Sequence, residues 1–543
     1  MIGVTFSSLV SCAPNPETGA GVTGLGTITK TFMGKSSRKK RSRRDQSAPG
    51  SGSETRLALP VEVRASHCGE GPESTRPALL LVLAGPALLA AAVYTVTLGN
   101  QLVHDDPGLF RYLRGIQGIS DLFTVLQEGE PHAVLTYLSV YVERWIWGEW
   151  IPGFRITNLV LHALCSSLAA LAALVVSGRR WVGLLTGLFF AVHPVHVEAV
   201  ASIENRKDLL AMAFGASSLI FYQRSRGGVR RYLAASVCLV AALLSKAVAA
   251  VGLVIMLPAA TLLLGSAGRQ RGPLGLRRVL LLALPTGVVC LGIATVFTGP
   301  LQSFFTPRSI YMQTEGLCRS YSEVLTHTAG AVPESLRLLV YPARLNADYE
   351  APSARRAREK RAGWGVGIAV VALLAFAWTV RFAPAVAFAL LWTMVMYIPV
   401  SNLLPIGHFF VAERYLYVPS FGICLLLALI LDRLARVQNE RYRARVWVTA
   451  ITCAIVLAAA VRTVNRTLDW RNTLTFWSAN VKGSADASAR ANASLGLALL
   501  GNARPAEAVE YFEKATAMQP HVQAYRELLG RAREEAKPPP TSE

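Results

Sequence analysis

The sequence predicts an all-α, polytopic membrane protein with about 11 transmembrane helices and a short C-terminal helical module. Only 16% of its 543 residues are charged and 52% are hydrophobic, whereas soluble domains carry about a quarter charged residues. Residues 77–98 contain no charge, and about 20 apolar residues cross a bilayer core. Similar apolar runs lie at residues 155–177, 181–192, 208–222, 232–245, 247–265, 279–298, 364–380, 385–404, 414–431 and 446–461.

The basic residues predict how the chain is oriented. A leader, residues 1–76, carries the run KSSRKKRSRR at 35–44, and Lys and Arg accumulate on the cytoplasmic side of a membrane. The acidic loop at 99–153 is therefore predicted to face the other side. The net charge of +21 does not indicate nucleic-acid binding, because the leader lacks interleaved aromatic residues and no nucleic-acid-binding module follows it.

The segment at 323–345 allows two topologies. Its polar or helix-disrupting residues are Glu323, His327, Pro333, Glu334 and Arg337. Ionisable side chains are costly on a lipid-facing helix, so the segment is predicted to be re-entrant or interfacial rather than a twelfth crossing. The membrane domain, residues 77–464, then presents Glu413 and the C-terminus on the non-cytoplasmic side. That membrane is predicted to be a bacterial plasma membrane or the endoplasmic reticulum membrane.

Residues 465–536 are predicted to form a tetratricopeptide-repeat module, followed by a tail at 537–543. The repeat is a helix–turn–helix of about 34 residues. Its characteristic positions are matched within 488–521 by Leu495-Gly496, Leu499, Ala508, Phe512, Ala515 and Pro520. Because so few repeats seldom fold alone, the module is expected to dock on the membrane domain or on a partner.

The first polar cluster, HDDPGLF, follows the first predicted crossing and contains His104, Asp105 and Asp106. Asp106 is predicted to cap a helix whose first residue is Pro107. That leaves Asp105 without a structural role. A carboxylate at the water–lipid boundary can take a proton from a hydroxyl group, so Asp105 is a candidate catalytic base.

The second cluster begins where a crossing ends. His193 precedes Pro194, which disfavours helix at residue 193. His193, His196 and Glu198 suggest a metal site, but no complete ligand motif is present, and the eight cysteines include no CxxC pair. A divalent metal is therefore possible in principle but unsupported, and no metal ligands are assigned.

Two other interpretations of this cluster stay open. It fits a solvated turn with anchors at the membrane boundary. It also fits a phosphate site, in which Arg206 and Lys207 neutralise the phosphate while Glu198, Glu204 and Asp208 orient those cations or an acceptor.

The third cluster lies within PIGHFFVAERYLYVPSFG, residues 405–422. Glu413 and Arg414 open the next predicted crossing beside Tyr415 and Tyr417. An aromatic belt with a snorkelling arginine explains this pattern. A lipid-phosphate site at the same depth has the same pattern, because a guanidinium group suits phosphate.

Taken in order, several motifs resemble one known family. They are HDD, ITNLVLHAL (156–164), the second cluster, LLSK (243–246), the third cluster and the WRNTLTFW lead (470–477) into the repeat. Together they resemble the transmembrane and tetratricopeptide repeat-containing proteins, which are similar to protein O-mannosyltransferases of the type C glycosyltransferase fold. The resemblance covers roughly residues 90–535.

The resemblance implies a reaction and a set of site residues. The donor would be a polyprenyl or dolichyl phosphate mannose, and the acceptor a Ser or Thr hydroxyl of an exported protein that the repeat module helps to bind. Asp105 and Asp106 match the family's catalytic motif. The remaining matches are the donor-phosphate ligands Arg206, Lys207 and Arg414, and the supporting polar residues His193, His196, Glu198, Asp208 and Glu413.

The chain departs from the family pattern at three places. Glu130-Pro131 stands for Arg-Pro, Arg155 for a His, and Ala247 for the Glu after LLSK. These changes bear on donor specificity and on activity. The alternative function is a non-catalytic membrane anchor that presents a tetratricopeptide-repeat adaptor.

Overall fold

The computed structural model describes residues 75–116, 118, 121, 133–225, 228–265, 320–403, 409–437 and 441–537. Every regular element within these residues is a helix, which confirms the predicted all-α class. Residues 1–74 of the predicted leader, the predicted crossing at 279–298 and residues 538–543 of the predicted tail lie outside the described residues.

In the described part of the membrane domain, prolines stand in the first turn of several helices and Ser320 caps another. The helices are α1 (Thr75–Tyr94), α2 (Asp106–Gly115), α3 (Val134–Trp147), α4 (Ile151–Ser177), α5 (Arg180–Val192), α6 (Val197–Ala201), α7 (Arg206–Gln223), α8 (Val229–Gly265), α9 (Tyr321–Val340), α10 (Pro352–Phe382), α11 (Pro384–Tyr397), α12 (Ser420–Val437) and α13 (Arg441–Asp469). Helices α1, α4 and α5 pack so closely that a Cβ atom at Gly187 would lie 2.6 Å from Pro86 and 2.7 Å from Ala170.

Among the described residues, four helices are long and apolar enough to cross a membrane: Leu79–Gly99, Ile151–Ser177, Pro352–Phe382 and Arg443–Asp469. The pair Arg180–Val192 and Pro194–Ala201, bent by 51°, makes a fifth if it is one span. These spans support a membrane protein. The predicted total of about 11 crossings stays a prediction, because other predicted runs lie on shorter helices or on helices with charged ends.

Helix α9 corresponds to the segment predicted to be re-entrant or interfacial. Near its start, the His327 ring lies 5.3 Å from the ring of Phe410. At its end, the carbonyl of Leu339 accepts a hydrogen bond of 3.0 Å from Nε2 of His193. Phe410 and His193 both lie in connections at the same end of the domain. Helix α9 therefore lies across that end, which favours the interfacial interpretation.

The C-terminal module contains helices α14 (Thr473–Lys482), α15 (Ala489–Leu500), α16 (Pro505–Met518) and α17 (Gln523–Glu535). Asn472 and Thr475 form a capping box at the start of α14. A Cβ atom at Gly496 would lie 2.9 Å from the ring of Phe512, so glycine is needed where α15 meets α16. The two helices form a close hairpin at the residues that the repeat pattern singled out, while the assignment to the tetratricopeptide class stays a prediction.

The module docks on the membrane domain at the segment between α9 and α10. The amide of Ala347 donates to Oδ1 of Asn480 at 2.8 Å. The amide of Ser353 donates to Asp486 at 2.8 Å. A second junction lies near the first polar cluster, where the amide of Gln101 donates to the carbonyl of Arg471 at 2.9 Å. The module is therefore held at both sides of the same end of the membrane domain.

Candidate active site

The three polar clusters predicted from the sequence meet at one end of the membrane domain. The carboxylate of Asp106, in the first cluster, accepts hydrogen bonds from Ser202 and Ile203, in the second. The amide of Arg414, in the third cluster, donates to Oε2 of Glu198, in the second, at 2.9 Å. Together these side chains form one cluster of charged groups at this end of the membrane domain, which we call the charged recess.

Asp106 is fully buried and ties the first cluster to the second. Its Oδ1 accepts from the hydroxyl of Ser202 at 2.9 Å and from the amides of Ile203 and Glu204 at 2.8 and 3.1 Å. Its Oδ2 lies 3.2 Å from Nη2 of Arg155.

This geometry corrects two sequence-based expectations for Asp106. Its carboxylate bonds across to the next cluster instead of capping α2, and it has no exposed surface from which to take a substrate proton. Asp106 is a structural carboxylate. Its partner Arg155 stands where the family pattern has a histidine.

Asp105 is the open member of the acidic pair. Its side chain is 46% exposed, and Oδ2 lies 2.9 Å from Nδ1 of His104. Desolvation raises the pKa of Asp105, but interaction with His104 and the charges of Arg414 and Lys207 outweigh it and hold this pKa below its ordinary value. Asp105 is therefore ionised at neutral pH and accessible from the charged recess.

The C-terminal module packs against His104, the residue next to Asp105. His104 has a φ of 61°, a left-handed conformation that costs a non-glycine residue on the order of 1–3 kcal/mol. Its ring packs on the rings of Trp470, Phe476 and Trp477, with centroids 6.2, 5.5 and 6.1 Å away. Packing against these aromatic residues keeps His104 in place, and so helps to orient Asp105.

Arg414 presents a guanidinium group that is already oriented. Its Nη1 bonds to Oε1 of Glu198, while the rings of Phe409 and Tyr415 lie 5.6 and 5.5 Å from the guanidinium carbon. The side chain of Arg414 is 12% exposed and that of Glu198 is 3% exposed. The buried Glu198 thus holds a partly exposed cation at the charged recess.

Lys207 and Lys246 add two further cations to the charged recess. Nζ of Lys207 bonds to Oε1 of Glu204, and Nζ of Lys246 lies 2.8 Å from both oxygens of Asp208. A break in the helical conformation at Lys246, inside α8, turns this side chain towards α7. The sequence-based site does not include Lys246, although a lysine inside an apolar run is itself a signal of function.

Arg206, in contrast, does not reach the charged recess. Its guanidinium is fully buried and bonds to Oδ1 of Asn158 at 2.7 Å and to the carbonyl of Phe154 at 3.0 Å. Nη1 lies 2.8 Å from Oε2 of Glu143. This contradicts the expectation that Arg206 is a phosphate ligand, because every edge of the guanidinium faces protein. The sequence pattern could not distinguish it from the adjacent Lys207.

Glu413 also lies behind the charged recess. Its Oε1 accepts from the hydroxyl of Tyr349 and from Nη2 of Arg466, each at 3.1 Å. Burial raises the pKa of Glu413 to about 7, against the opposing charge of Arg466. This residue therefore links the third cluster to α13 and to the segment before α10, in keeping with a supporting role.

The two histidines of the second cluster are bound to protein atoms. His193 accepts from the amide of Val195 and donates to Leu339, while Nε2 of His196 lies 2.8 Å from the hydroxyl of Ser420. Within the ranges that the structure describes, no group of three or more His, Cys, Asp or Glu side chains is arranged to hold a metal ion. The histidines connect the helix ends that form the wall of the charged recess.

The fold and this site define a class: a helical membrane protein with an exposed carboxylate and several cations at one end of its membrane domain. No model of a protein family matches the chain. Protein O-mannosyl-transferase TMTC3 of Mus musculus is 25% identical over 424 residues, covering 72% of this chain and 44% of the mouse protein. The human TMTC3 protein is 24% identical over the same shares.

Protein O-mannosyl-transferase F38B6.6 of Caenorhabditis elegans is 25% identical over 341 residues, which is 61% of this chain and 45% of that protein. The chain spans less than half the length of these curated relatives. These relatives support the resemblance to the transmembrane and tetratricopeptide repeat-containing proteins that the motifs predicted.

Proposed function

We propose that the chain is a membrane glycosyltransferase that transfers mannose from a polyprenyl or dolichyl phosphate to Ser or Thr hydroxyls of exported proteins. One observation carries the proposal: an exposed, ionised carboxylate, Asp105, shares the charged recess with Arg414 and Lys207. The names of the relatives as protein O-mannosyl-transferases support the choice of sugar and acceptor.

Asp105 acts as the general base in this proposal. As the acceptor oxygen forms its bond to C1 of mannose, the hydroxyl proton passes to Asp105 and the bond between C1 and the phosphate oxygen breaks. A positioned base of this kind contributes about 10²- to 10⁴-fold to a rate. Asp105 is ionised at neutral pH, so its oxygens carry no proton of their own when the hydroxyl proton is transferred.

Arg414 and Lys207 stabilise the departing phosphate. The polyprenyl phosphate leaves with an additional negative charge, and fixed cations that face this charge lower the barrier. Glu198 orients Arg414 through two hydrogen bonds. Lys246 and Asp208 form a buried pair beside these cations and help to fix their positions.

Asp106 and Arg206 position the site without contacting substrate. Asp106 fixes the turn at 202–204 against the start of α2, and Arg206 fixes the start of α7 against α3 and α4 through Glu143 and Asn158. The two ion pairs hold the start of α2, next to Asp105, and the start of α7, which carries Lys207. The wall of the charged recess is further stabilised, on the side that faces the protein interior, by His193, His196 and Glu413.

The location of the reaction follows from the predicted orientation. The charged recess and the C-terminal module share one end of the domain, which we place on the non-cytoplasmic side of a plasma or endoplasmic reticulum membrane. An acceptor protein would then reach the charged recess after export, and the C-terminal module is placed to contact it.

Purified protein in lipid nanodiscs, supplied with polyprenyl phosphate mannose and a Ser/Thr peptide, tests the proposal. We expect mannosyl-peptide and free polyprenyl phosphate in equal amounts, and a rate at least about 10²-fold lower for Asp105→Asn. Glu149→Gln, which removes the charge of another exposed carboxylate, is the matched control and should retain the wild-type rate.

The adaptor alternative predicts the opposite pattern in the same variants. Under that alternative, Asp105→Asn and Arg414→Ala leave function unchanged, whereas deletion of residues 465–543 removes it. Unaltered turnover in Asp105→Asn would reject Asp105 as the base.

A further inference from the structure

A cavity lies at the junction of the membrane domain and the C-terminal module. Its volume is about 690 Å³. It is enclosed by α9, by the segment that leads to α10, by the start of α10, and by the turn at residues 483–485 between α14 and α15. Its lining includes none of Asp105, Lys207 and Arg414, so it is separate from the charged recess.

Arginines outnumber carboxylates along the lining of this cavity, and one of them, the buried Arg358, is paired with Glu350. Within the described residues its lining contains the arginines Arg337, Arg344, Arg358 and Arg361, against the acidic residues Glu334 and Asp348.

The two acidic side chains of the lining already interact with arginines. Glu334 lies between two arginines, 2.6 Å from Nη2 of Arg337 and 3.9 Å from Nη1 of Arg361. Asp348 lies 3.8 Å from Arg490 of the C-terminal module. Arg344 is exposed and forms no ion pair with any described residue. Arg344 and the 53%-exposed Arg361 are therefore available to an anion.

The cavity lies beside a surface that faces lipid. Helix α10 is one of the candidate membrane spans, and directly after Arg361 it exposes Trp364 (75%) and Val366 (56%). At the end of α9, Val340 (64%) and Tyr341 (69%) are also exposed, and Tyr341 lines the cavity. Exposed aromatic residues next to arginines are typical of the membrane–water boundary.

We propose that this cavity binds the phosphate headgroup of an anionic phospholipid. The arginines bind the phosphate, while the acyl chains lie along the exposed apolar residues of α10. Basic pockets between membrane helices bind such headgroups in this way. Because Gly483 and Ser484 line the cavity, the headgroup bridges the membrane domain and the C-terminal module. This binding does not depend on the proposed transfer reaction.

Native mass spectrometry of the full chain in detergent, titrated with phosphatidylglycerol, phosphatidylcholine or inorganic phosphate, tests the proposal. The double variant Arg344→Gln/Arg361→Gln removes two exposed charges. Each arginine near a lipid phosphate is worth about fivefold in affinity, so phosphatidylglycerol binding should weaken about 25-fold. The double variant Arg381→Gln/Arg433→Gln, at exposed arginines elsewhere, is the control and should bind phosphatidylglycerol as the wild type does.

Three results support the proposal together: a selective loss of phosphatidylglycerol binding, unchanged phosphatidylcholine binding, and weak competition by inorganic phosphate. Unchanged phosphatidylglycerol affinity in the Arg344/Arg361 variant would overturn it. So would inorganic phosphate that competes as strongly as the lipid, because the site would then recognise free phosphate. Equal melting temperatures of the two double variants without lipid would show that both remain folded.

Discussion

Substitution by asparagine should mainly reduce stability at Asp106 and mainly reduce activity at the adjacent Asp105. Asp106→Asn changes a carboxylate that accepts three hydrogen bonds on one oxygen and contacts Arg155 with the other. Whichever way the new amide turns, its NH₂ group faces donors, and Arg155 loses its counter-charge while buried. Asp105→Asn changes a side chain that is 46% exposed.

The expected magnitudes follow from burial. Removing one partner of a buried ion pair costs about 3–5 kcal/mol, because the other charge stays buried. The partly exposed pair of His104 and Asp105 contributes about 0–1 kcal/mol, so losing the charge of Asp105 costs much less. Asp106→Asn should therefore lower the thermal unfolding midpoint strongly, whereas Asp105→Asn should leave the midpoint near that of the wild type and remove the transfer activity.

Thermal unfolding of both variants in the same detergent, together with peptide mannosylation, measures the two effects. Asp106→Glu, which retains the charge, should recover part of the lost stability. The reasoning is refuted if Asp105→Asn destabilises the protein as much as Asp106→Asn does. It is also refuted if Asp106→Asn is fully stable but inactive, since that would make Asp106 the catalytic group.

Three further predictions concern the other parts of the site. Arg414→Lys keeps the charge and the backbone bond to Glu198 but loses the guanidinium bond to Oε1 of Glu198, and should lower the transfer rate about 10²- to 10³-fold in the peptide assay. Phe476→Ala removes a buried ring that packs on His104, so it should lower the free energy of unfolding by about 3–5 kcal/mol and also lower turnover. Phe476→Leu should have a smaller effect on both. Unchanged turnover in Phe476→Ala would show that α14 does not support the base. Because burial raises the pKa of Glu413 to about 7, its contribution favours folding below pH 4.5 and is lost as pH rises through 7. Through this group the wild type should lose about 3 kcal/mol of unfolding free energy as pH rises. Thermal unfolding between pH 5 and 8 should show that this loss is absent in Glu413→Gln.

The sequence was sufficient to predict where the polar clusters meet, because their placement follows from simple rules. Pro194 ends α5 before the second cluster, and the alternation of loops puts His104, His193 and Glu413 at one end of the domain. The contacts between Asp106 and residues 202–204 confirm that convergence. The packing of α9 across that end fits the prediction that this segment is re-entrant or interfacial, because its charged residues disfavour a lipid-facing crossing.

Roles within each cluster were not predictable, because they depend on which way neighbouring side chains point. Arg206 and Lys207 are adjacent in the sequence, yet the first is buried against Glu143 and the second lies at the charged recess. Lys246 reaches Asp208 only because α8 breaks at that residue, and no strong helix-breaking residue adjoins it. Phe476 was assigned to the helical module, and only the folded structure shows its contact with His104.

Equilibrium binding of polyprenyl phosphate to the purified protein tests most directly whether the charged recess is one site. Arg414→Gln and Lys207→Gln should each weaken binding, because each removes a cation that faces the phosphate. Asp105→Asn should leave the affinity unchanged or strengthen it, since it removes a negative charge from the same recess. Wild-type affinity in both cation variants, or an equal weakening by Asp105→Asn, would contradict a shared site for the base and the leaving phosphate.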